Sequence, residues 1–274
     1  MELFEVLKRM FLERNCVICE SAISYDDEYP FCEKCALLWH ELLGTKCARC
    51  GREVRLCSCM PTKIKKINHS VACWCVFYNP GPDNDINKLF SILKKEYCKD
   101  VIKFCGELMA KSLLALAKAR GIKLSEYAVT YAPRRSNNVL NYGFDQSKKL
   151  AGVIAKKLKL ELITTVVNNS ENEQKGLSKA ERAKNAFQSY CYIDGSLKEN
   201  KKLILVDDII TTGATMYACA YQLFKNGAAE VIPVAFAKDN YKVKSNCKIK
   251  SKYKLKGKYT LIHNRKLSGI YKFK

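Results

Sequence analysis

No run of consecutive apolar residues in this 274-residue chain approaches the roughly 20 that a helix needs to span a bilayer. Short stretches such as Leu113–Ala117 lie inside charged segments. A recognisable export signal is missing too. The opening residues, MELFEVLKRMFLER, carry Glu2 and Glu5 where a signal peptide is basic, and they space Leu3, Leu7, Met10 and Phe11 at helical intervals. They read as an amphipathic helix used for packing, and the chain as a soluble, cytoplasmic protein with no transmembrane segment. Acidic residues are scarce: 27 Asp and Glu face 48 Lys and Arg, a formal net charge of +21. That surplus points to a polyanionic partner, nucleic acid first and an acidic membrane face second. The competing explanation is a general richness in Lys, because the excess is scattered along the chain rather than gathered in one arm.

Cysteine, by contrast, is abundant, with 15 residues. Without an export signal they belong in a reducing compartment, where closely spaced pairs are metal ligands more often than disulfides. Eight of them form four pairs: Cys16-x-x-Cys19, Cys32-x-x-Cys35, Cys47-x-x-Cys50 and Cys57-x-Cys59. Two thiolates on one tight knuckle reach a single tetrahedral zinc, and two knuckles close its shell without leaving a water position. The four pairs therefore predict two structural zincs. Consecutive pairing, 16/19 with 32/35 and 47/50 with 57/59, closes the shortest loops; an interleaved arrangement uses the same residues. His40 is a substitute ligand for the irregular last pair. So short a segment cannot build an adequate apolar core, which leaves the metal to supply folding energy. Its basic residues Arg49, Arg52, Arg55, Lys63, Lys65 and Lys66 suit nucleic acid, a partner protein or plain solvent. Among the dispersed cysteines, Cys73 and Cys75 alternate with Trp74 and Val76 as in a buried strand, and read as core.

Beyond Asn79-Pro-Gly-Pro-Asp83, a turn, helical spacing predicts helices over about 85–96 and 100–119. An apolar run at Ala128–Ala132 then leads into alternating elements: a helix over about 145–159, a strand over 161–167, a helix over about 178–188, a strand at 203–207, a helix from about 214 and a strand at 230–236. Strands alternating with helices predict an α/β fold with a parallel sheet covered on both faces. The expected organisation is a cysteine-rich zinc-binding module over residues 1–66, an α/β domain over 67–240, and a basic, Tyr-containing tail over 241–274.

The most specific segment is LILVDDIITTGATM, residues 203 to 216. Adjacent acids Asp207 and Asp208 at the carboxyl end of a parallel strand suit two neighbouring ribose hydroxyls, as the acid of dinucleotide-binding folds does. The turn of Thr211, Thr212, Gly213, Ala214 and Thr215 sets free amides, a positive helix end and hydroxyl donors around a phosphate, and Gly213 allows close backbone approach. From Leu203 to Thr215 the chain resembles the type I phosphoribosyltransferases. Further matches narrow the resemblance to the competence-associated ComF family over about residues 12–238: cysteine knuckles in front, then APRRSNNVLNYGFDQSKKLA, QKGLSKAERAKNAF and the acid-pair signature.

That resemblance implies a type I phosphoribosyltransferase core holding 5-phosphoribosyl-1-pyrophosphate (PRPP) with magnesium, behind a zinc-ribbon module. It aligns Tyr131-Ala132-Pro133-Arg134-Arg135 with the family's pyrophosphate loop and Gly143-Phe144-Asp145-Gln146 with its Gly-Phe-Asn/Asp-Gln motif. Gln174, Leu177, Arg182, Asn185 and Phe187 match the later segment and helix. Arg134 and Arg135 would stabilise departing pyrophosphate while Asp207 and Asp208 hold the ribose. The family usually places Arg directly before the Gly-Phe motif, where this chain has Asn141-Tyr142. One reading is thus a phosphoribosyltransferase of unassigned acceptor. The rival is a DNA-uptake accessory protein that contacts single-stranded DNA and uptake proteins at the inner face of the membrane, with PRPP as ligand only; a regulatory PRPP sensor is a third.

Overall fold

A computed structural model describes residues 14–24, 29–68, 71–79, 85–169 and 189–240. In chain order, β1 (Arg14–Asn15), β2 (Ala22–Ile23) and α1 (Glu33–Leu43) are followed by α2 (Thr62–Ile67), β3 (Cys73–Tyr78), α3 (Asn87–Lys95) and α4 (Lys99–Arg120). Then come β4 (Tyr127–Tyr131), α5 (Ser136–Tyr142), α6 (Gln146–Leu158), β5 (Val166–Asn168), β6 (Tyr190–Tyr192), β7 (Lys202–Ile210), α7 (Ala214–Lys225) and β8 (Glu230–Asp239).

The long apolar runs in β7 and β8 are buried on both faces, as the interior strands of a parallel sheet must be. They form the centre of a four-stranded, all-parallel sheet in the order β3-β8-β7-β4. On one face Leu89, Met109, Leu113, Leu150 and Ile154 from α3, α4 and α6 pack on Val76, Val129, Ile204, Val206 and Ile232. The other face buries Leu203, Leu205 and Val231 beneath Met216 and Leu223 of α7 and Ile64 and Ile67 of α2. Helix α6 lies tight against α4 because Gly106 has no side chain; a Cβ there would sit 2.6 Å from Val153 Cβ.

The cysteine-rich segment straddles this sheet. Cys16, Ile18, Cys35 and Trp39 join the first core, whereas Cys47 joins the second, with Cys57 and Cys59 packed against it. Trp39 stacks on Phe236 of β8 with ring centroids 6.2 Å apart and meets Phe104 of α4 edge-on at 5.0 Å. Just past β8, Asn240 Oδ1 accepts from Ala48 N at 2.7 Å and its Nδ2 donates to Lys46 O at 2.9 Å.

The expected α/β class holds, and α3, α4 and α6 lie close to their expected spans. Two elements differ. The expected strand over 161–167 is split: Leu162 forms a lone parallel bridge with Val129, while β5 pairs antiparallel with β6 in a separate two-stranded sheet. Strand β7 does not stop at Asp207 but runs to Ile210, because Ile209 and Ile210 remain paired with Ala237 and Lys238. The expected helices at the N-terminus and over 178–188, and the tail, lie outside the described residues. Among those described, no helix is long and apolar enough to cross a membrane.

Removing Trp39 would open a cavity between α1, α4 and β8. Trp39→Ala should therefore cost about 3–5 kcal/mol, measured as a lower urea midpoint.

Candidate functional site

The eight paired cysteines form two groups, Cys16/Cys19/Cys32/Cys35 and Cys47/Cys50/Cys57/Cys59, with all sulfur atoms of each group within 4.8 Å of one another. This is the consecutive pairing. His40 lies exposed on α1 and in neither group. Both groups start with the same backbone device. Cys16 O accepts from Glu20 N and Cys47 O from Gly51 N, each at 2.8 Å, and the residue at that fourth position has positive φ in both, +65° and +68°. Cys16 N then donates to Ser21 O, and Cys47 N to Arg52 O. Even the flanking ladder repeats, with Asn15 opposite Ala22 and Lys46 opposite Glu53.

The sulfur separations Cys19–Cys32, 3.6 Å, and Cys50–Cys57, 3.7 Å, fit a tetrahedral metal site, whose edge is about 3.8 Å for metal–sulfur arms of about 2.3 Å. Hydrogen bonds from the Ser21 hydroxyl and amide and from Cys32 bring the Cys19 thiol down to about 6. Burial works against the Cys47 thiolate, but the amides of Cys50 and Arg49 prevail and bring it to about 7. Burial instead pushes Cys57 up to about 12. Each group thus offers a ready thiolate beside thiols that ionise only with a cation among them.

The second site is built where β4 ends and β7 continues. Ala132 N makes the last rung, to Val206 O at 2.9 Å, so that Asp207 and Asp208 lie just beyond the end of the β4 pairing. The acids are nevertheless only 9% and 7% exposed. Side chains alternate along a strand, so Asp207 continues the row of Leu203 and Leu205 and Asp208 that of Ile204 and Val206. The start of α6 reaches both. Ser147 Oγ donates to Asp207 Oδ1 at 3.1 Å, and Gln146 Nε2 donates to Asp208 Oδ2 at 3.3 Å. Backbone amides complete the support: Asp208 N donates to Asp207 Oδ1 and Ile209 N to Asp208 Oδ1.

Asp145 fixes the loop opposite. One carboxylate oxygen caps α6 by accepting from Lys148 N at 3.0 Å, and the other accepts from Arg134 N at 2.8 Å. The Arg134 guanidinium lies 4.3 Å from the Tyr142 ring and 5.8 Å from that of Phe144. Burial lowers its proton affinity, partly offset by the nearby Asp208 charge. Arg134 Nη1 and Gln146 Oε1 are buried without a hydrogen-bond partner among the described residues. A buried donor and a buried acceptor left without partners are groups that a polar ligand can satisfy.

Past β7, Thr211 and Thr212 are exposed, Gly213 is buried with φ +74°, and Ala214 and Thr215 open α7 half-buried. Thr212 Oγ1 accepts from Ala214 N at 3.3 Å. Pro133 is buried and Arg135 exposed at the start of α5. The fold therefore gathers Ala132–Arg134, Asp207 and Asp208 closely, while Arg135 stands further out. Three residues escape pattern reading. Ser147 binds Asp207; Tyr190 bonds to Thr215 and feels both Asp207 and Arg135; and buried Asn168 donates to Pro133 O at 3.5 Å. None belongs to a periodic motif, although Ser147 directly follows the Gly-Phe-Asp-Gln run. Gln174, Leu177, Arg182, Asn185 and Phe187 lie outside the described residues.

Burial, and then the neighbouring Asp208, raise the proton affinity of Asp207 well above the ordinary range. The folded chain thus holds this proton more tightly than the unfolded chain does. Stability must fall as pH rises from the usual Asp value, about 4, up to the raised folded value. Asp207→Asn keeps the Oδ1 acceptor and removes that penalty. The variant should melt higher than wild type at pH 7, with the gap closing as pH is lowered toward about 4 in a series of thermal scans.

The profile of the phosphoribosyl transferase domain matches residues 146–260. The DNA utilization protein YhgH of Salmonella typhimurium is 24% identical over 215 residues, covering 73% of this chain and 92% of that protein. Among solved structures, TT1426 from Thermus thermophilus is 16% identical over 50% of this chain and 83% of its own, with a TM-score of 0.31. The adenine phosphoribosyl transferase of Trypanosoma brucei is 15% identical over 73% and 89%, with a TM-score of 0.32. Two four-cysteine groups thus stand ahead of a segment that matches the phosphoribosyl transferase domain, the arrangement that the ComF resemblance implies.

Proposed function

We propose that the chain binds PRPP with magnesium and transfers its phosphoribosyl group with release of pyrophosphate. The observation that carries this reading is the shielded acid pair, held by Gln146 and Ser147 between an orphaned arginine and a Thr-Gly turn that opens a helix. In this reading Asp207 and Asp208 accept the two ribose hydroxyls, and residues 211–215 take the 5-phosphate at the positive end of α7. The pyrophosphate lies against residues 132–135, with Arg134 its principal cation. The bond from the anomeric carbon to pyrophosphate breaks as an acceptor nucleophile bonds to that carbon. Arg134, its guanidinium held against the Tyr142 ring, would neutralise the departing oxygens, as a fixed charge accelerates such a step. Magnesium, carried in with PRPP, would supply further charge neutralisation on the pyrophosphate. The metal in each cysteine group is proposed to be a structural zinc. Residues 1–66 then serve as scaffold, 67–240 as the ligand-binding domain and 241–274 as a basic tail.

A second reading has support of its own. The relative's name is DNA utilization protein, and Arg49, Arg52, Arg55, Lys65 and Lys66 are exposed on and beside the second cysteine group. Here single-stranded DNA binds that basic surface in a reducing, cytoplasmic setting at the membrane's inner face, where DNA-uptake proteins would meet it, and PRPP is a ligand only.

Calorimetry of Asp207→Ala/Asp208→Ala should show magnesium-dependent PRPP binding abolished, with zinc still at two per chain by elemental analysis. Unchanged PRPP affinity in that variant would place the site elsewhere. For the DNA reading, binding to a labelled oligonucleotide should weaken steeply with salt. Arg49→Ala/Arg52→Ala/Arg55→Ala should flatten that dependence; equal, feeble binding by both proteins at near-physiological salt would leave the enzyme reading alone.

A further inference from the structure

We infer that Ile64 is a positioning residue for the loop 211–215, through which the second cysteine group, and not the first, sets affinity for a sugar 5-phosphate. The inference rests on the phosphate reading of that loop. Gly213 is its pivot: buried, with φ +74°, and so close to α2 that a Cβ would sit 2.7 Å from Ile64 Cγ1, 2.8 Å from Cδ1 and 3.4 Å from Ile64 N. Thr211 and Thr212 are exposed, so support reaches the loop from beneath, at Gly213.

Ile64 is fully buried, and it belongs to the cysteine-rich segment rather than to the sheet. Only Met60 and Pro61 separate Cys59 from α2. Cys47, Ile64, Met216 and Ala220 share one core, with Cys57, Cys59 and Met60 packed against it. A little further along, the Lys66 ammonium lies 5.8 Å from the Tyr217 ring of α7. The second group therefore anchors the strut on which the loop rests. Cys16 and Cys35 of the first group lie in the core on the opposite face of the sheet. A loop held in its binding shape spends less of its interaction energy on ordering. Loosening the strut should accordingly weaken the phosphate subsite and spare the pyrophosphate subsite, which stands on β4 and Asp145.

Titration calorimetry of the full chain with ribose 5-phosphate, pyrophosphate and PRPP separates these subsites. Ile64→Ala should lose about tenfold in affinity for ribose 5-phosphate and PRPP, a coupling of ordinary size for packed neighbours, while pyrophosphate affinity stays unchanged. Should Ile64→Ala not remain folded, Ile64→Val makes the same comparison with a smaller loss. Gly213→Ala should bind ribose 5-phosphate poorly, and Ile64→Ala/Gly213→Ala should recover part of that loss, since the two clashing carbons are gone. Cys57→Ser/Cys59→Ser should copy the selective loss, whereas Cys16→Ser/Cys19→Ser should not. If wild type binds ribose 5-phosphate but the Ile64 variant binds it equally, or loses both ligands in step, the strut is wrong. If wild type binds neither sugar phosphate, the phosphate reading of the loop fails, and the strut with it.

Discussion

Two carboxylates side by side on one strand and shielded from water oppose folding, and much of the fold around the site is arranged to hold them. A buried carboxyl without partners is expensive, and a second one beside it raises the cost. The chain meets this with hydrogen bonds drawn from several directions: two from the first turn of α6 and two from the backbone of β7 itself. Helix α6 must then be held in register with the sheet. Asp145 does this by capping the helix and gripping Arg134 N, and Gly106 helps by letting Val153 approach α4. Even so, burial and the neighbouring acid keep the proton affinity of Asp207 raised, a residual cost of the kind that clusters at functional sites.

The cysteine-rich segment is more than an accessory placed in front. Its two metal-fitting groups repeat one knuckle, down to the ladder pair and the positive φ, yet they pack on opposite faces of the same sheet. One repeat joins the aromatic cluster of Trp39, Phe104 and Phe236; the other joins the layer that includes α7. The glycine at position 51 takes its left-handed turn without strain, whereas Glu20 adopts the same turn with a side chain, a modest cost that the rest of the knuckle must offset.

How far the sequence disclosed this depended on how local each signal was. The eight cysteines and the acid pair stand in short fixed spacings, so the ligand groups and the strand carrying Asp207 were legible. The end of β7 was not: the acids interrupt its apolar run, and only pairing with β8 shows that Ile209 and Ile210 continue the strand. Helices α2 and α5 span six and seven residues, too short for a 3.6-residue period to declare itself. The split of 161–167 follows from a partner strand at 190–192 and from Thr165, whose buried hydroxyl bonds Thr130 at 2.7 Å. Neither contact leaves a mark in the local pattern. The same holds for Ser147 and Tyr190, single polar residues whose meaning comes from what the fold sets beside them.

The strand order carries a consequence for synthesis. Strand β8 is the last described element made, yet it sits inside the sheet, between β7 and β3, and among the described residues it is the sheet partner of β3. Until the ribosome has released residues 230–239, Val76 and Phe77 have no neighbouring strand and Trp39 lacks the Phe236 ring it stacks on. Asn240 then fastens the finished sheet back to residues 46 and 48. The nascent chain must therefore carry an exposed apolar edge through most of its translation, the period in which unpaired strands invite association with other chains. Each cysteine knuckle, by contrast, closes on hydrogen bonds between residues four and five apart and needs no late strand to form.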